Sequence, residues 1–190
     1  MSTVPGFVGR KEQLSALEAL LGRVRAGTGT TSPGKCLLMR GRRRVGKSRL
    51  AEVFVGSTGA PTLYFTASRQ GKKELALFAE EAAASNLPGA DLFVGVTLAT
   101  WDAALGLLAQ ALPSNEPAVV VIDEFPYLVE HGTEVEATFQ KQWDRLLSRK
   151  PVLLILIGSD LAMMEALNSH DRAFFQRGTE MVDDCVGAAR

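Results

Sequence analysis

The hydrophobic positions of the chain follow two patterns. Apolar residues recur at helical spacing in four segments, residues 10–26, 72–85, 101–111 and 133–148. Short apolar runs occupy residues 36–39, 62–66, 118–122 and 152–157. Continuous runs of this kind are typical of strands that are buried on both faces of a parallel sheet. Strands that alternate with helices predict a doubly wound α/β domain, with ligands at the carboxyl ends of the strands.

A glycine-bounded loop separates the first apolar run from a helix-forming stretch at residues 49–54. Residues 41–48 read Gly-Arg-Arg-Arg-Val-Gly-Lys-Ser, which fits the pattern G-x-x-x-x-G-K-[ST]. The glycines of this pattern let backbone N–H groups converge on the β- and γ-phosphates of a nucleotide at a helix N-terminus. Lys47 would supply a positive charge to the phosphates and Ser48 a hydroxyl to magnesium. The candidate phosphate-binding residues are Gly41, Arg42, Arg43, Arg44, Val45, Gly46, Lys47, Ser48 and Arg49.

Three consecutive arginines, Arg42, Arg43 and Arg44, form a local basic cluster within this loop. In such loops the main chain binds the phosphates and the side chains usually project away from them. Specific recognition of nucleic acid would favour aromatic residues interleaved with the arginines, and this cluster contains none. The cluster therefore indicates solvation or proximity to the γ-phosphate.

Two adjacent carboxylates, Asp123 and Glu124, end the apolar run at residues 118–122. We expect Asp123 to hold magnesium, and Glu124 to orient and deprotonate the water that attacks the γ-phosphate. Adjacent strand residues point to opposite faces, which would suit two distinct roles. After the last apolar run, Ser159 has two interpretations, a sensor of the γ-phosphate or a cap of a helix at residues 161–167. Asp160 is interpreted as a cap only.

The chain has 190 residues, of which 46% are hydrophobic, and this length and composition predict one domain. With 21 basic and 21 acidic residues, no overall charge attracts nucleic acid or an anionic membrane. The longest apolar run, residues 152–157, is too short to cross a bilayer, and we expect a cytoplasmic protein. Cys36 and Cys185 lack the spacing of a metal or redox pair, and helical spacing places Trp101 and Trp143 in the core.

Several short motifs occur together in one order along the chain. They are Phe-Val-Gly-Arg at residues 7–10 followed by Glu12 and Leu14, the phosphate loop, Val-Ile-Asp-Glu at residues 121–124, and Gly158-Ser159 followed by Met163-Met164. From about Val4 to Met181, this combination resembles the archaeal-type ATPase family, an AAA-like or STAND branch of the P-loop ATPases. The resemblance implies a three-layer α/β/α fold with a parallel sheet of order 5-1-4-3-2.

The same resemblance implies ATP and Mg²⁺ as cofactors and assigns further site residues. It implies that Phe7, Val8, Gly9 and Arg10 lie near the adenine and that Ser159 is the sensor. It also implies that Arg177 approaches the phosphate from the same or a neighbouring subunit. With Glu124 and Lys47, Ser159 and Arg177 complete the candidate catalytic set.

The sequence departs from the family pattern near its end. Gln176 replaces the usual glycine before Arg177, and Ala173 stands where proline is common. Family members are longer and carry a helical lid and a winged helix, so we expect a truncated product or a minimal core. We expect one domain, with an adenine-side segment, helix and linker at 1–34, a core at 35–180 and an irregular tail at 181–190, where Asp183 and Asp184 would interrupt the fifth strand.

Three functions fit these observations. The first is an ATPase core whose Mg²⁺-dependent hydrolysis drives a conformational switch or a switch with a partner, either a second copy or another protein. The second is a nucleotide-dependent interaction module without significant hydrolysis. The third is a small-molecule kinase, although no separate acceptor site stands out. Nucleic acid is not an expected partner of this domain alone.

Overall fold

A computed structural model describes residues 10–68, 73–130, 133–160, 162–164 and 178–183. The helices are α1 (Lys11–Gly27), α2 (Lys47–Thr58), α3 (Glu74–Ala84), α4 (Trp101–Ala111), α5 (Pro126–Val129) and α6 (Thr133–Arg145). The strands are β1 (Lys35–Gly41), β2 (Thr62–Thr66), β3 (Ala118–Asp123), β4 (Val152–Gly158) and β5 (Gly178–Asp183). Short 3₁₀ helices occupy Ala90–Phe93 and Leu147–Arg149.

The five strands form one parallel sheet of order β2-β3-β4-β1-β5. This order confirms the expected order 5-1-4-3-2 and the α/β/α class. Every residue of β3 and β4 is buried, as their continuous apolar runs predict. In the sheet, Arg40 of β1 lies beside Gly158 of β4, and Ile122 of β3 beside Leu156. The carboxyl ends of these three strands therefore lie at one edge.

Each face of the sheet carries its own core layer. Helices α1 and α2 cover one face, where Leu17 and Phe54 pack against β1 and β4 residues such as Leu37 and Ile155. Helices α3, α4 and α6 cover the other, which receives Cys36 and Leu38 of the same strand β1. Alternate side chains of one strand thus serve two separate cores, which is the reason that the strand must be apolar throughout.

Aromatic side chains organise the second layer. Phe65, Phe78, Trp101 and Phe139 form a continuous set of tilted or edge-to-face pairs, with ring centroids 5.3 to 6.2 Å apart. Such pairs each contribute about 0.5–1.5 kcal/mol beyond the burial of their area. Phe93 joins the set from the segment between α3 and α4. That segment is anchored because its 3₁₀ turn buries Phe93.

Two expectations on element ends are corrected. β5 pairs with β1 as far as the Gly41–Asp183 pair, so an acidic residue at 183 does not interrupt the strand. At this strand, Glu180 accepts a hydrogen bond from Arg40 at 3.5 Å. Helix α2 begins at Lys47, two residues before the helix-forming stretch, because the phosphate loop leads directly into the first turn of the helix.

No helix among the described residues combines the length and apolar character that a bilayer crossing requires.

Burial raises the pKa of the Cys36 thiol to about 12, so the native thiol is almost wholly protonated at mildly alkaline pH. A Cys185→Ser variant leaves Cys36 as the single thiol of the chain. We expect this variant to react with a chromogenic disulfide reagent only slowly when native. Concentrated guanidinium chloride should release one thiol per chain, and rapid labelling of the native protein would contradict the buried position.

Candidate functional site

The phosphate loop connects the carboxyl end of β1 to the N-terminus of α2. Gly46 precedes the helix with φ +88°, a left-handed conformation that glycine adopts without strain. Arg44 has φ +65°, which costs a non-glycine residue about 1–3 kcal/mol. From α1, the guanidinium of Arg10 donates a hydrogen bond to the Val45 carbonyl. The loop is thus tightly wound, and the contact with Arg10 stabilises its conformation.

Lys47 is the first residue of α2 and is only 6% exposed. Its ammonium donates hydrogen bonds to the carbonyls of Gly41 at 2.7 Å and Arg42 at 2.9 Å. The charge is therefore held within the loop, beside the backbone N–H groups at the start of the helix. A cation and a helix N-terminus in this arrangement favour an anionic group.

Asp123, the last residue of β3, is 4% exposed and both of its carboxylate oxygens accept hydrogen bonds. Oδ2 accepts from the Tyr64 hydroxyl at 3.0 Å, and Oδ1 accepts from the backbone N–H of Glu124 at 2.9 Å. The Tyr64 hydroxyl also lies 3.4 Å from the Ser48 carbonyl. One tyrosine therefore links strand β2, the buried carboxylate and the start of α2.

The environment of Tyr64 keeps its hydroxyl a hydrogen-bond donor. Burial raises its pKa strongly, and the negative charge of Asp123 and the hydrogen bond to it raise it further. A phenol with a raised pKa retains its proton throughout the physiological range. The Tyr64 hydroxyl therefore keeps the proton that it donates to Asp123 Oδ2.

Glu124 leaves the strand in a left-handed conformation, with φ +53°. The expectation that Asp123 and Glu124 point to opposite faces of the sheet is wrong, because the strand ends at Asp123 and the backbone turns at Glu124. As a result, both carboxylates line the same cavity. A non-glycine residue held at positive φ is a feature that clusters at functional sites.

Ser159 follows β4 and faces Glu124 across the sheet edge. Its hydroxyl donates to Glu124 Oε2 at 3.1 Å, whereas the capping position belongs to Asp160, whose Oδ1 accepts from the backbone N–H of Met163 at 2.9 Å. Of the two interpretations of Ser159, the geometry favours the one that places it in the site. The cap expected at Asp160 is present.

Arg43 of the phosphate loop lines the cavity and contacts two hydroxyl groups. Its guanidinium donates to the Tyr127 hydroxyl on α5 at 2.9 Å and lies 3.5 Å from Ser159 Oγ. Arg43, Ser159 and Glu124 therefore form one chain of hydrogen bonds. Arg49, in contrast, pairs on the surface with Glu52 at 3.0 Å.

One cavity of about 540 Å³ collects these groups at the sheet edge. Its lining residues are Arg43, Arg44, Gly46, Lys47, Ser48, Arg49, Glu52, Asp123, Glu124, Tyr127 and Ser159. Arg42 is exposed and does not line the cavity, and neither do Gly41, Val45 and Arg10. The Gly41 carbonyl accepts a hydrogen bond from Lys47, and the Val45 carbonyl accepts one from Arg10. Phe7, Val8, Gly9 and Arg177 lie outside the described residues.

Sequence reasoning missed Tyr64, Tyr127 and Glu52. Tyr64 is two residues before the end of β2, and in the sequence it resembles an ordinary strand residue that packs on a neighbour. A usable signal was available for Tyr127, which follows the Asp123-Glu124 pair within four residues and so must lie near the same strand end. Glu52 is one helical turn after Ser48, on the same side of α2.

Comparisons with known proteins agree with this architecture. No protein-family model matches the chain. An uncharacterized protein of Methanocaldococcus jannaschii is 25% identical over 174 residues, which are 91% of this chain and 34% of that protein. The chain therefore spans about a third of this relative's length.

Two solved structures share the fold over nearly the whole chain. A Walker-type ATPase of Pyrococcus abyssi matches with a TM-score of 0.58 and 19% identity over 93% of this chain and 53% of that one. The ORC2 protein of Aeropyrum pernix, solved in ADPNP-ADP complexes, matches with a TM-score of 0.63 and 16% identity over 95% and 49%.

Five parallel strands in this order, with a phosphate loop after the first, define the P-loop NTPase fold. Within that class, the two structures compared above are a Walker-type ATPase and an ORC protein, both archaeal. These neighbours confirm the resemblance to archaeal-type ATPases at the level of the fold.

The strain at Arg44 predicts an unusual response to glycine. We expect Arg44→Gly to leave the free energy of unfolding unchanged or to raise it by about 1 kcal/mol, because the left-handed conformation loses its penalty. Arg42→Gly is the matched control, since Arg42 does not have a positive φ, and it should lose about 0.5–1 kcal/mol. Urea denaturation measures both, and equal losses would contradict the assigned strain.

Proposed function

We propose that this chain is the core of an ATPase, which binds ATP with Mg²⁺, hydrolyses it and couples the cycle to a conformational or partner switch. One observation carries the proposal: the phosphate loop, Lys47 and the Asp123-Glu124 pair line a single cavity at the sheet edge. The ADPNP-ADP complexes of the ORC2 neighbour support nucleotide binding on this fold. We also propose a cytoplasmic location and a single domain.

Phosphate binding is assigned to the loop from Gly41 to Arg49. Backbone N–H groups at the start of α2 would bind the phosphates, and the Lys47 ammonium would move from the Gly41 and Arg42 carbonyls to phosphate oxygens. The exchange replaces two hydrogen bonds to carbonyls with contacts to charged oxygens. We propose that residues Phe7 to Arg10 lie near the adenine, and the contact of Arg10 with the loop supports this assignment.

The oxygen donors at the carboxyl end of β3 fit a magnesium ion. Asp123 is buried and accepts a hydrogen bond from Tyr64, and carboxylate and hydroxyl oxygens are the ligands that Mg²⁺ prefers. Asp123 and Ser48 would hold the ion, which would neutralise charge on the β- and γ-phosphates. Each carboxylate oxygen of Asp123 keeps a lone pair in addition to its hydrogen bond, so the residue can still accept from water.

Hydrolysis is assigned to Glu124 as the base that orients the attacking water and accepts its proton. The Ser159 hydroxyl donates to this carboxylate, so it fixes the direction of Glu124 before a water molecule is bound. Arg177 remains a proposed phosphate contact from this subunit or a neighbour. A partner, either a protein or a second copy, would sense the resulting change.

The same contact favours a second function. Because Ser159 engages Glu124 and Arg43 engages Ser159, this arrangement could bind a nucleotide without turning it over. The chain would then be a nucleotide-dependent interaction module. We do not propose DNA as a partner for this domain, because its 21 basic and 21 acidic residues balance. A kinase would be revealed by phosphoryl transfer to an acceptor where an ATPase releases free phosphate.

Replacement of the proposed base separates these functions. We expect Glu124→Gln to retain ATP affinity within a factor of about three and to lower the hydrolysis rate by about 10²–10⁴, since the side chain keeps its size and loses its basicity. Calorimetry measures binding and phosphate release measures turnover. Undiminished hydrolysis would remove Glu124 from the mechanism, and ATP binding without turnover by the unaltered protein would select the interaction module.

Tyr64 should control the magnesium requirement through Asp123. In Tyr64→Phe the carboxylate loses the hydrogen bond from the Tyr64 hydroxyl, and we expect the Mg²⁺ concentration for half-maximal nucleotide binding to rise about three- to tenfold. Nucleotide binding measured in EDTA should not change. Tyr127→Phe is a matched control, because this tyrosine lines the cavity without contacting Asp123. An equal shift in both variants would contradict the positioning role.

A further inference from the structure

Arg43 differs in its partners from Lys47 and Arg49, two other cations that line the cavity. Lys47 is bound by loop carbonyls, and Arg49 is paired with the carboxylate of Glu52. Arg43 bonds only to two neutral hydroxyls, those of Tyr127 and Ser159, and no carboxylate of the described residues pairs with it. Its charge is therefore not neutralised by the described part of the protein.

The position of this guanidinium points to one part of a nucleotide. Gly46 and the first turn of α2 offer the backbone N–H groups that bind phosphates in such a loop. Arg43 lines the same cavity beside Ser159, since Arg43 Nε is 3.5 Å from Ser159 Oγ and Ser159 donates to Glu124 at 3.1 Å. Glu124 is the proposed base, so the group that Arg43 approaches is the terminal phosphate.

We propose that Arg43 is a γ-phosphate ligand supplied by the phosphate loop itself, and that it sets the preference of this site for ATP over ADP. The inference rests on the proposed nucleotide binding and names the residue that recognises the terminal phosphate. In the structure, the hydroxyls of Tyr127 and Ser159 accept hydrogen bonds from the guanidinium. On ATP binding, the hydroxyls are exchanged for phosphate oxygens.

Physical chemistry favours the exchange. Hydrogen bonds between a guanidinium and phosphate oxygens are charge-assisted and often bidentate, and they are about twice as strong as bonds between neutral groups. The bonds that are lost join the cation to neutral hydroxyls at an exposed position. The exchange also separates Arg43 from Ser159, whose hydroxyl keeps its hydrogen bond to Glu124. ADP lacks the terminal phosphate, so it does not drive this exchange.

The test compares the affinities of the purified chain for the non-hydrolysable analogue ADPNP and for ADP by calorimetry with Mg²⁺. We expect Arg43→Ala to weaken ADPNP about 10- to 100-fold and ADP less than threefold. Arg43→Lys keeps the charge without the planar fork and should lose about three- to tenfold for ADPNP. Arg149→Ala, an exposed arginine remote from the cavity, is the matched control and should change neither affinity.

A Tyr127→Phe variant distinguishes the effect of the Arg43 charge from the effect of its hydrogen bond to Tyr127. The variant removes the hydroxyl at 2.9 Å and leaves the guanidinium, so the ratio of ADPNP to ADP affinity should stay within about threefold of the unaltered protein. A loss of selectivity as large as that of Arg43→Ala would overturn the inference, because the hydrogen-bond network and not the charge would then select ATP.

Other outcomes are equally decisive. Equal losses of ADPNP and ADP in Arg43→Ala, or no loss, would overturn the inference and leave nucleotide binding intact as the proposed function. Tighter ADPNP binding in Arg43→Ala would also overturn it, since Arg43 would then act only as a barrier. If the unaltered chain binds neither nucleotide, the proposed function itself fails. Thermal unfolding of each variant without nucleotide shows whether it is folded.

Discussion

The position of β4 between β1 and β3 is the constraint on which the rest of the structure depends. This strand pairs with β1 on one side and β3 on the other, and all seven of its residues are buried. The register places the end of β4 level with the ends of both neighbours, so the phosphate loop, Asp123 and Ser159 converge. A polar residue in the middle of β4 would disturb the core layer that its side chain enters and also the alignment of the site.

The fold could be predicted where burial leaves few alternatives. Strands β3 and β4 are covered on both faces, so only apolar side chains fit, and the sequence shows them as continuous runs. The meeting of the phosphate loop with Asp123 follows from the same rule, because parallel strands bring their carboxyl ends to one edge. The strand order came from the resemblance to a family, since periodicity does not specify which strands are neighbours.

The details of the site were beyond sequence reasoning because they depend on contacts between distant segments. Tyr64 and Asp123 are separated by 59 positions, and a tyrosine on a strand is most simply explained by packing. The left-handed backbone at Arg44 and Glu124 has no signature in the residue type, since nothing about arginine or glutamate favours positive φ. In both places the surrounding structure imposes the conformation, and the sequence alone suggested ordinary geometry.

The contact of Lys47 with the loop carbonyls lowers the conformational entropy that the loop would lose on binding a ligand. The ammonium bonds to Gly41 and Arg42, so it closes the residues between β1 and α2 into a compact ring before any ligand arrives. Conformational freedom of the loop is then lost during folding, and little remains to be lost on association. Capture of an anionic ligand would then require an exchange of hydrogen-bond partners by one side chain, and its release would restore the same ring.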